Sequence, residues 1–314
     1  MVRTFHIPSD TGDVPIAANS NTARQLLVSY VQPYSFQQLL DHLRPRTTPG
    51  VERVEGNVYS RVTVQDETPR ILHVEDAKDG RHLRVTVTSQ TAGDVTHDLE
   101  RLRCLFAVDE DPSFAFAHLS QDPFIGRLVT ERPWVRVPRG WDRFETSIRI
   151  IIGQQISVAA ATTISGRIAA GLGQQISTGS DLNRIFPSPE VLANADLSGM
   201  GLTERRKTTL QNFSRAVTDG TIDLESSQNL DEMEKHWCTL PGIGPWTAQV
   251  AAMRVLGHDD AMPSSDLGVL RSMNRLTNQD FNPKQLENQS RIWRPFRSWA
   301  AQHLWQAPEV LRST

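Results

Sequence analysis

LPGIGPWTAQ, Leu240 to Gln249, decides how this chain is read. Two glycines flank Ile243, and Pro245 and Trp246 follow. A Gly-x-Gly implies that backbone comes close to something: a nucleotide cofactor, another helix or a nucleic-acid backbone. The cofactor reading needs a preceding β-strand, a third glycine and an acidic residue about 20 positions on. Here the preceding LDEMEKHWCTL is charged and helical in spacing, and Thr247 stands where the third glycine belongs. The other reading is a helix, a tight turn and a second helix. Gly242 and Gly244 would let that turn adopt positive φ. Its amides and those of the next helical turn have no internal partner, so they form an anion site strengthened by the helix dipole. Pro245 suits a first helical turn, where its missing N–H would have been unpaired. Such a hairpin grips a phosphate without reading sequence. A glycine turn that only joins two packed helices has the same pattern.

Working outward, the pattern from about Asp142 onward is nearly all helical. RFETSIRIII, SVAAATTISGRIAAGL with Ser157 as N-cap, SPEVLANA, ERRKTTLQNFSRAV, PWTAQVAAMRVL, DLGVLRSMNRL and IWRPFRSWAAQHLW are separated by turn signals such as GMG, MPSS and FNP. The first half differs. FQQLLDHL (Phe36–Leu43) and VTHDLERLRCLFAV (Val95–Val108) have helical spacing, whereas VYSRVTVQ, RILHVE and LRVTVTS alternate as antiparallel strands do. The fold class expected is a small α+β N-terminal domain with an antiparallel sheet, followed by an all-α domain. The divisions expected are a loose tail over 1–22, the α+β domain over 23–138 and the helical domain over 139–314.

Composition narrows the function classes. No apolar run among the 314 residues approaches the roughly 18 a membrane span needs. The N-terminus lacks the apolar core of a secretory signal, so a cytoplasmic protein is expected. Two cysteines, Cys104 and Cys238, are too few for a disulfide scaffold or a four-cysteine metal site. Net charge is −3, but residues 131–314 carry 20 Lys+Arg against 19 Asp+Glu, so that half can present a basic face locally. Only four of the 33 basic residues are lysine.

Asp266 follows Pro263-Ser264-Ser265, 24 residues after Gly242, and opens a helix. A carboxylate there is stabilised in ionised form by the dipole and free amides, and most often serves only as a cap. The hairpin and this aspartate, in this order and spacing, resemble the helix–hairpin–helix (HhH-GPD) DNA glycosylases, in their AlkA-like, 3-methyladenine DNA glycosylase II branch. DRFETSIRIIIGQQISVAAATTISGRI, FPSPEVLANADLSGMGLTERRKTTL and WRPFRSWAAQHLW are similar to that family's segments in its order, from about Arg139 to Trp305. QPYSFQQLLDHL, PGVE and LRCLFAVDEDP look more loosely like its N-terminal domain.

The resemblance implies an enzyme that flips a damaged base out of double-stranded DNA and hydrolyses its glycosidic bond. Asp266 would be the essential carboxylate, stabilising positive charge on the deoxyribose. Strand-cutting members place a lysine nucleophile where this chain has Trp246, so a monofunctional enzyme is implied. Trp246 and Trp305 would line the base pocket, their electron-rich faces suiting cationic alkylpurines. Val250, Leu267 and His42 stand where the family has further aromatics, which implies a less aromatic pocket. Gln155 would fill the gap left by the flipped base. Gly242 and Gly244 would meet the DNA backbone. The carbonyls of Cys238, Leu240 and Ile243 would hold a structural Na+ or K+, and no cofactor is required. A monomer without membrane association is implied. Two other readings compete: a non-catalytic helix–hairpin–helix module, and the same fold acting on oxidised or deaminated purines.

Overall fold

The computed structural model describes residues 15–16, 23–65, 67–90, 93–225 and 229–307. Most of the expected tail over 1–22 lies outside the described residues. Its residues Pro15–Ile16 form a short strand, β1. The sheet continues with β2 (Ala23–Ser29), β3 (Glu52–Glu55), β4 (Val58–Gln65), β5 (Thr68–Asp76) and β6 (His82–Ser89). All pairs are antiparallel, in the order β1-β2-β6-β5-β4-β3, with Val62 opposite Ile71 and Val74 opposite Val85.

Alternation along these strands produces two buried faces. On one, Val28, Tyr59, Leu72, Val74 and Val85 pack under Leu39 and Leu40 of α1 (Phe36–Leu43) and Leu102 and Leu105 of α2 (Thr96–Leu105). Ser35 caps α1, accepting from the Gln38 amide at 3.3 Å. On the other face, Val62 and Ile71 meet Ile176 and Leu182. These last two belong to a segment that pairs β7 (Gln174–Gln175) with β8 (Arg184–Ile185), a small sheet inside the half expected to be helical throughout.

The remaining elements are helical: α3 (Ser113–Leu119), α4 (Gly126–Glu131), α5 (Arg143–Ile152), α6 (Val158–Leu172), α7 (Pro189–Asn194), α8 (Glu204–Thr218), α9 (Leu230–Trp237), α10 (Pro245–Ala251), α11 (Leu267–Thr277), α12 (Pro283–Gln289) and α13 (Arg297–Trp305). Their core is one cluster around Ile148, Ile151, Phe213, Trp237, Met253 and Trp299. Ala115 and Leu119 of α3 and Leu128 and Val129 of α4 belong to that cluster, although they precede Arg139. Conversely Trp141 packs with the sheet domain. IWRPFRSWAAQHLW is not one helix: a 3-10 turn (Ser290–Trp293) precedes Pro295, and α13 starts two residues later.

A buried ionic network joins the two halves. Arg61 of β4 pairs with Glu52 at 3.1 Å and with Glu145 of α5, while Arg149 of α5 reaches Glu52 at 2.8 Å. Tyr59 Oη donates to Glu52 Oε2 at 2.5 Å. Burial alone would raise the Glu52 carboxyl, but Arg61, Arg149 and these hydrogen bonds bring it below its ordinary value. Glu145 is raised, chiefly by burial.

Candidate nucleic-acid cleft and active site

The hairpin follows α9. Cys238 caps that helix, and α10 starts at Pro245 with Gly244 as N-cap. Gly242 has φ +90°, and a Cβ there would lie 2.1 Å from Thr209 Oγ1 on α8. Gly244 corrects the expectation of a second positive φ. It is extended, at φ −118° and ψ 177°, and a Cβ on it meets nothing within 4 Å. Its bareness serves the outer surface rather than the turn. Among the described residues, the amides of Gly244, Trp246 and Thr247 have no acceptor, as expected at a helix start.

Gln154 ties this hairpin to the turn between α5 and α6. Its Nε2 donates to the Gly242 carbonyl at 3.0 Å and to Thr247 Oγ1 at 2.8 Å. Arg206 donates to the Gln154 carbonyl. The next residue, Gln155, is exposed and held at φ +58°, an uncommon conformation for a side-chain-bearing residue.

A cleft of about 1310 Å³ runs past both loops to the sheet domain. Trp246, Trp305, Val250, Leu267 and His42 all line it with Asp266, as do Gln155, Gly242, Gly244 and Ile243. Cys238 and Leu240 lie on the hairpin away from this lining. Eight arginines line or rim the cleft against three carboxylates, Glu52, Glu145 and Asp266. The basic face that a net charge of −3 concealed is concentrated here.

Asp266 is the N-cap of α11. Its Oδ1 accepts from the amides of Gly268 (2.8 Å) and Val269 (3.0 Å) and from Trp305 Nε1 (2.8 Å). Its Oδ2 accepts from Trp246 Nε1 at 2.9 Å. The two tryptophans therefore hold the carboxylate by their N–H groups as well as walling the pocket. Gly268 permits this packing, since a Cβ there would come within 3.0 Å of Asp266 Oδ1 and 3.2 Å of the Trp305 ring. The carboxylate is fixed on four donors while staying partly open to the cleft.

The electron-rich face expected of Trp305 is partly taken. The Arg254 guanidinium lies 5.2 Å from its ring centroid. Arg254 comes from a π-helical turn, Ala252–Leu256, that extends α10, and it donates to the Pro138 carbonyl at 2.8 Å and to Gln302. Burial lowers its pKa to about 9, assisted by Arg46. Arg46, beyond the end of α1, donates to the His42 carbonyl at 2.7 Å. His42 is held neutral, with its pKa well below the ordinary value, by burial and then by Arg46, Arg254 and Arg149.

Residues 25–142 match the AlkA N-terminal domain, and 148–296 match the HhH-GPD superfamily base excision DNA repair protein. The DNA-3-methyladenine glycosylase 2 of Escherichia coli is 28% identical over 88% of this chain and 95% of its own length. The chain belongs to the AlkA-like HhH-GPD DNA glycosylases. Among other AlkA-like relatives, a Mycobacterium tuberculosis protein described as a probable bifunctional transcriptional activator/DNA repair enzyme AlkA is 32% identical over 88% of this chain. The chain spans 55% of that relative's length. The AlkA-like fold is also that of a 3-methyladenine DNA-glycosylase from Archaeoglobus fulgidus, with a TM-score of 0.75, 19% identity and coverage of 89% of this chain and 96% of that one.

Sequence reasoning about this AlkA-like chain missed the arginines. Arg46, Arg149 and Arg254 come from three segments, each unremarkable alone. The one available signal was the preference for arginine over lysine, a side chain that keeps its charge and forked donors when buried.

Proposed function

We propose that this protein is a monofunctional DNA glycosylase that flips alkylated bases of the 3-methyladenine type out of duplex DNA and excises them by hydrolysis in base excision repair. The observation that supports this most is the Asp266 carboxylate, fixed by two amides and two indole N–H groups on the wall of the basic cleft. As the glycosidic bond breaks, positive charge builds at C1′, and a prepositioned carboxylate stabilises it without reorganising. Water completes the hydrolysis.

The remaining parts follow from their positions. The bare Gly242–Thr247 segment offers free amides to a DNA phosphate. Gln155, projecting from a left-handed turn on the rim, enters the stack in place of the flipped base. Among the described residues no lysine lines the cleft, and the hairpin position of a Schiff-base lysine is Trp246, so strand cleavage is not part of the activity. The hairpin suits Na+ or K+ held by the carbonyls of Cys238, Leu240 and Ile243. Those of Cys238 and Ile243 accept no hydrogen bond among the described residues, and Cys238 lies at the negative end of α9. Such an ion would neutralise charge between the hairpin and a phosphate. The protein would act as a cytoplasmic monomer on DNA; no described helix is long and apolar enough to cross a membrane.

Base release from duplexes bearing alkylated, deaminated or oxidised bases, with wild type and Asp266→Asn, tests the reading. Release of alkylated bases by wild type alone, without borohydride-trappable adducts, is expected. Binding without release of any base would instead make the protein a helix–hairpin–helix binding module. Release confined to oxidised or deaminated bases would reassign its substrate.

A further inference from the structure

Asp266 ends a segment, Met262–Asp266, that is held from two sides. Met262 and Pro263 are buried, and two turns lead from them to the carboxylate. The Ser264 amide donates to the Met262 carbonyl and the Asp266 amide to the Pro263 carbonyl, each at 2.9 Å. From α13, Ser298 Oγ accepts from the Ala261 amide at 3.0 Å, and Trp305 holds Asp266 Oδ1. From α10, Gln249 Oε1 accepts from the Met262 amide at 2.7 Å, and Trp246, one helical turn earlier on the same face, holds Asp266 Oδ2. The other end of the Gln249 amide, Nε2, donates to Glu234 Oε2 of α9. Gln249 thus joins both helices of the hairpin to the root of the segment that carries Asp266.

Only one orientation of that side-chain amide serves. The Met262 N–H is buried and needs an acceptor, which Oε1 supplies only while Nε2 points the other way. Glu234, a carboxylate that accepts and does not donate, fixes this orientation. Neither Gln249 nor Glu234 lines the cleft, so both act through Asp266 rather than on DNA. On the glycosylase reading above, on which this inference rests, the hairpin amides hold a phosphate and so set the position of C1′. The distance from hairpin to carboxylate then governs the rate, since a misplacement of about 1 Å can cost about 100-fold. We propose that Gln249 is a positioning residue: with Glu234 it sets the Asp266 segment at a fixed height over the hairpin, so that gripping the phosphate brings C1′ to the carboxylate.

The test is single-turnover release of 7-methylguanine from a duplex by the full chain in saturating excess. Unfolded molecules do not alter the rate constant under that condition, so it reports alignment alone. Gln249→Glu keeps an acceptor for the Met262 amide but sets a second carboxylate against Glu234. Its rate constant should fall about 30-fold, while abasic-duplex binding stays within about 3-fold of wild type. Combining Gln249→Glu with Glu234→Gln exchanges donor and acceptor between the two positions, and should recover the rate to within about 3-fold of wild type. If Gln249→Glu melts below the assay temperature, Gln249→Met, which leaves the Met262 amide unpaired, carries the test with the same split expected between rate and binding. An unchanged rate constant in the single variant, a loss that the exchange does not repair, or binding that weakens as much as the rate would each overturn the role of Gln249 while leaving the glycosylase reading standing. Wild type that releases no 7-methylguanine defeats that reading, and this role with it.

Discussion

The hairpin and the pocket beside it face the same cleft but are built in opposite ways. The hairpin is contiguous, from Leu240 to Gln249, and works through amides, carbonyls and the bareness of Gly244. The pocket is assembled from His42 to Trp305 and works through side chains brought together by tertiary packing. Backbone groups of the first kind tolerate substitution so long as the conformation survives and no new side chain covers them. Side chains of the second kind fail individually. Grip and chemistry should therefore be separable by mutation.

The largest separation is expected at Asp266. Asp266→Asn keeps an N-cap acceptor for the Gly268 and Val269 amides, so the fold should persist. It removes the charge that the proposed mechanism sets against the C1′ cation, and base release should fall at least about 1000-fold in single-turnover assays. Binding of an abasic duplex, measured by fluorescence anisotropy, should stay within about 3-fold, because free amides supply that affinity. A parallel fall in binding would mean that the two regions are not independent. Next in size is the network that holds the sheet domain against α5. Arg61→Met leaves the buried Glu52 and Glu145 with Arg149 as the remaining arginine partner, which should cost about 3–5 kcal/mol in urea unfolding. A cost below about 1 kcal/mol would show that apolar packing alone seats the sheet domain.

How much of this was legible in the sequence divides along the same line. Local signals gave local structure: FQQLLDHL is α1 over the residues its spacing indicated, VYSRVTVQ is β4, and Ser157 caps α6. The hairpin was readable because its function is its conformation, and glycine and proline signal conformation directly. Even there, the letter hides the reason for Gly244, since an extended glycine and a left-handed one read alike. β7 and β8 were not readable because two residues have no periodicity, and they exist by packing on the sheet. The placement of α3 and α4 in the helical core was hidden too, as chain order does not reveal which core an amphipathic segment joins. The roles of Asp266, Trp246 and Trp305 are implied by resemblance alone, but their mutual hydrogen bonds, and the arginines behind them, require the fold.

The hairpin comparison sharpens with its two glycines. Gly242→Ala forces a side chain into the left-handed region and against Thr209, so stability should fall by roughly 3 kcal/mol. Gly244→Ala places its methyl in open space at an ordinary φ and should melt within a degree or two of wild type. On the proposed grip the same methyl would stand where a phosphate approaches, so abasic-duplex affinity should weaken about 10-fold. If Gly244→Ala instead destabilised the protein and left binding intact, the bare surface would have no role in the grip.

The smallest effects test whether the tryptophans act through their rings or their N–H groups. Replacement by Phe keeps an aromatic face and deletes one donor. Asp266 Oδ1 would still accept from two amides after Trp305→Phe, whereas Oδ2 has Trp246 as its one donor among the described residues. The carboxylate should stay aligned in the first variant and be free to rotate in the second. Trp246→Phe is therefore expected to slow release about 10-fold, and Trp305→Phe about 3-fold. Equal losses would mean that the rings matter as walls and that the two N–H bonds contribute little to holding the carboxylate.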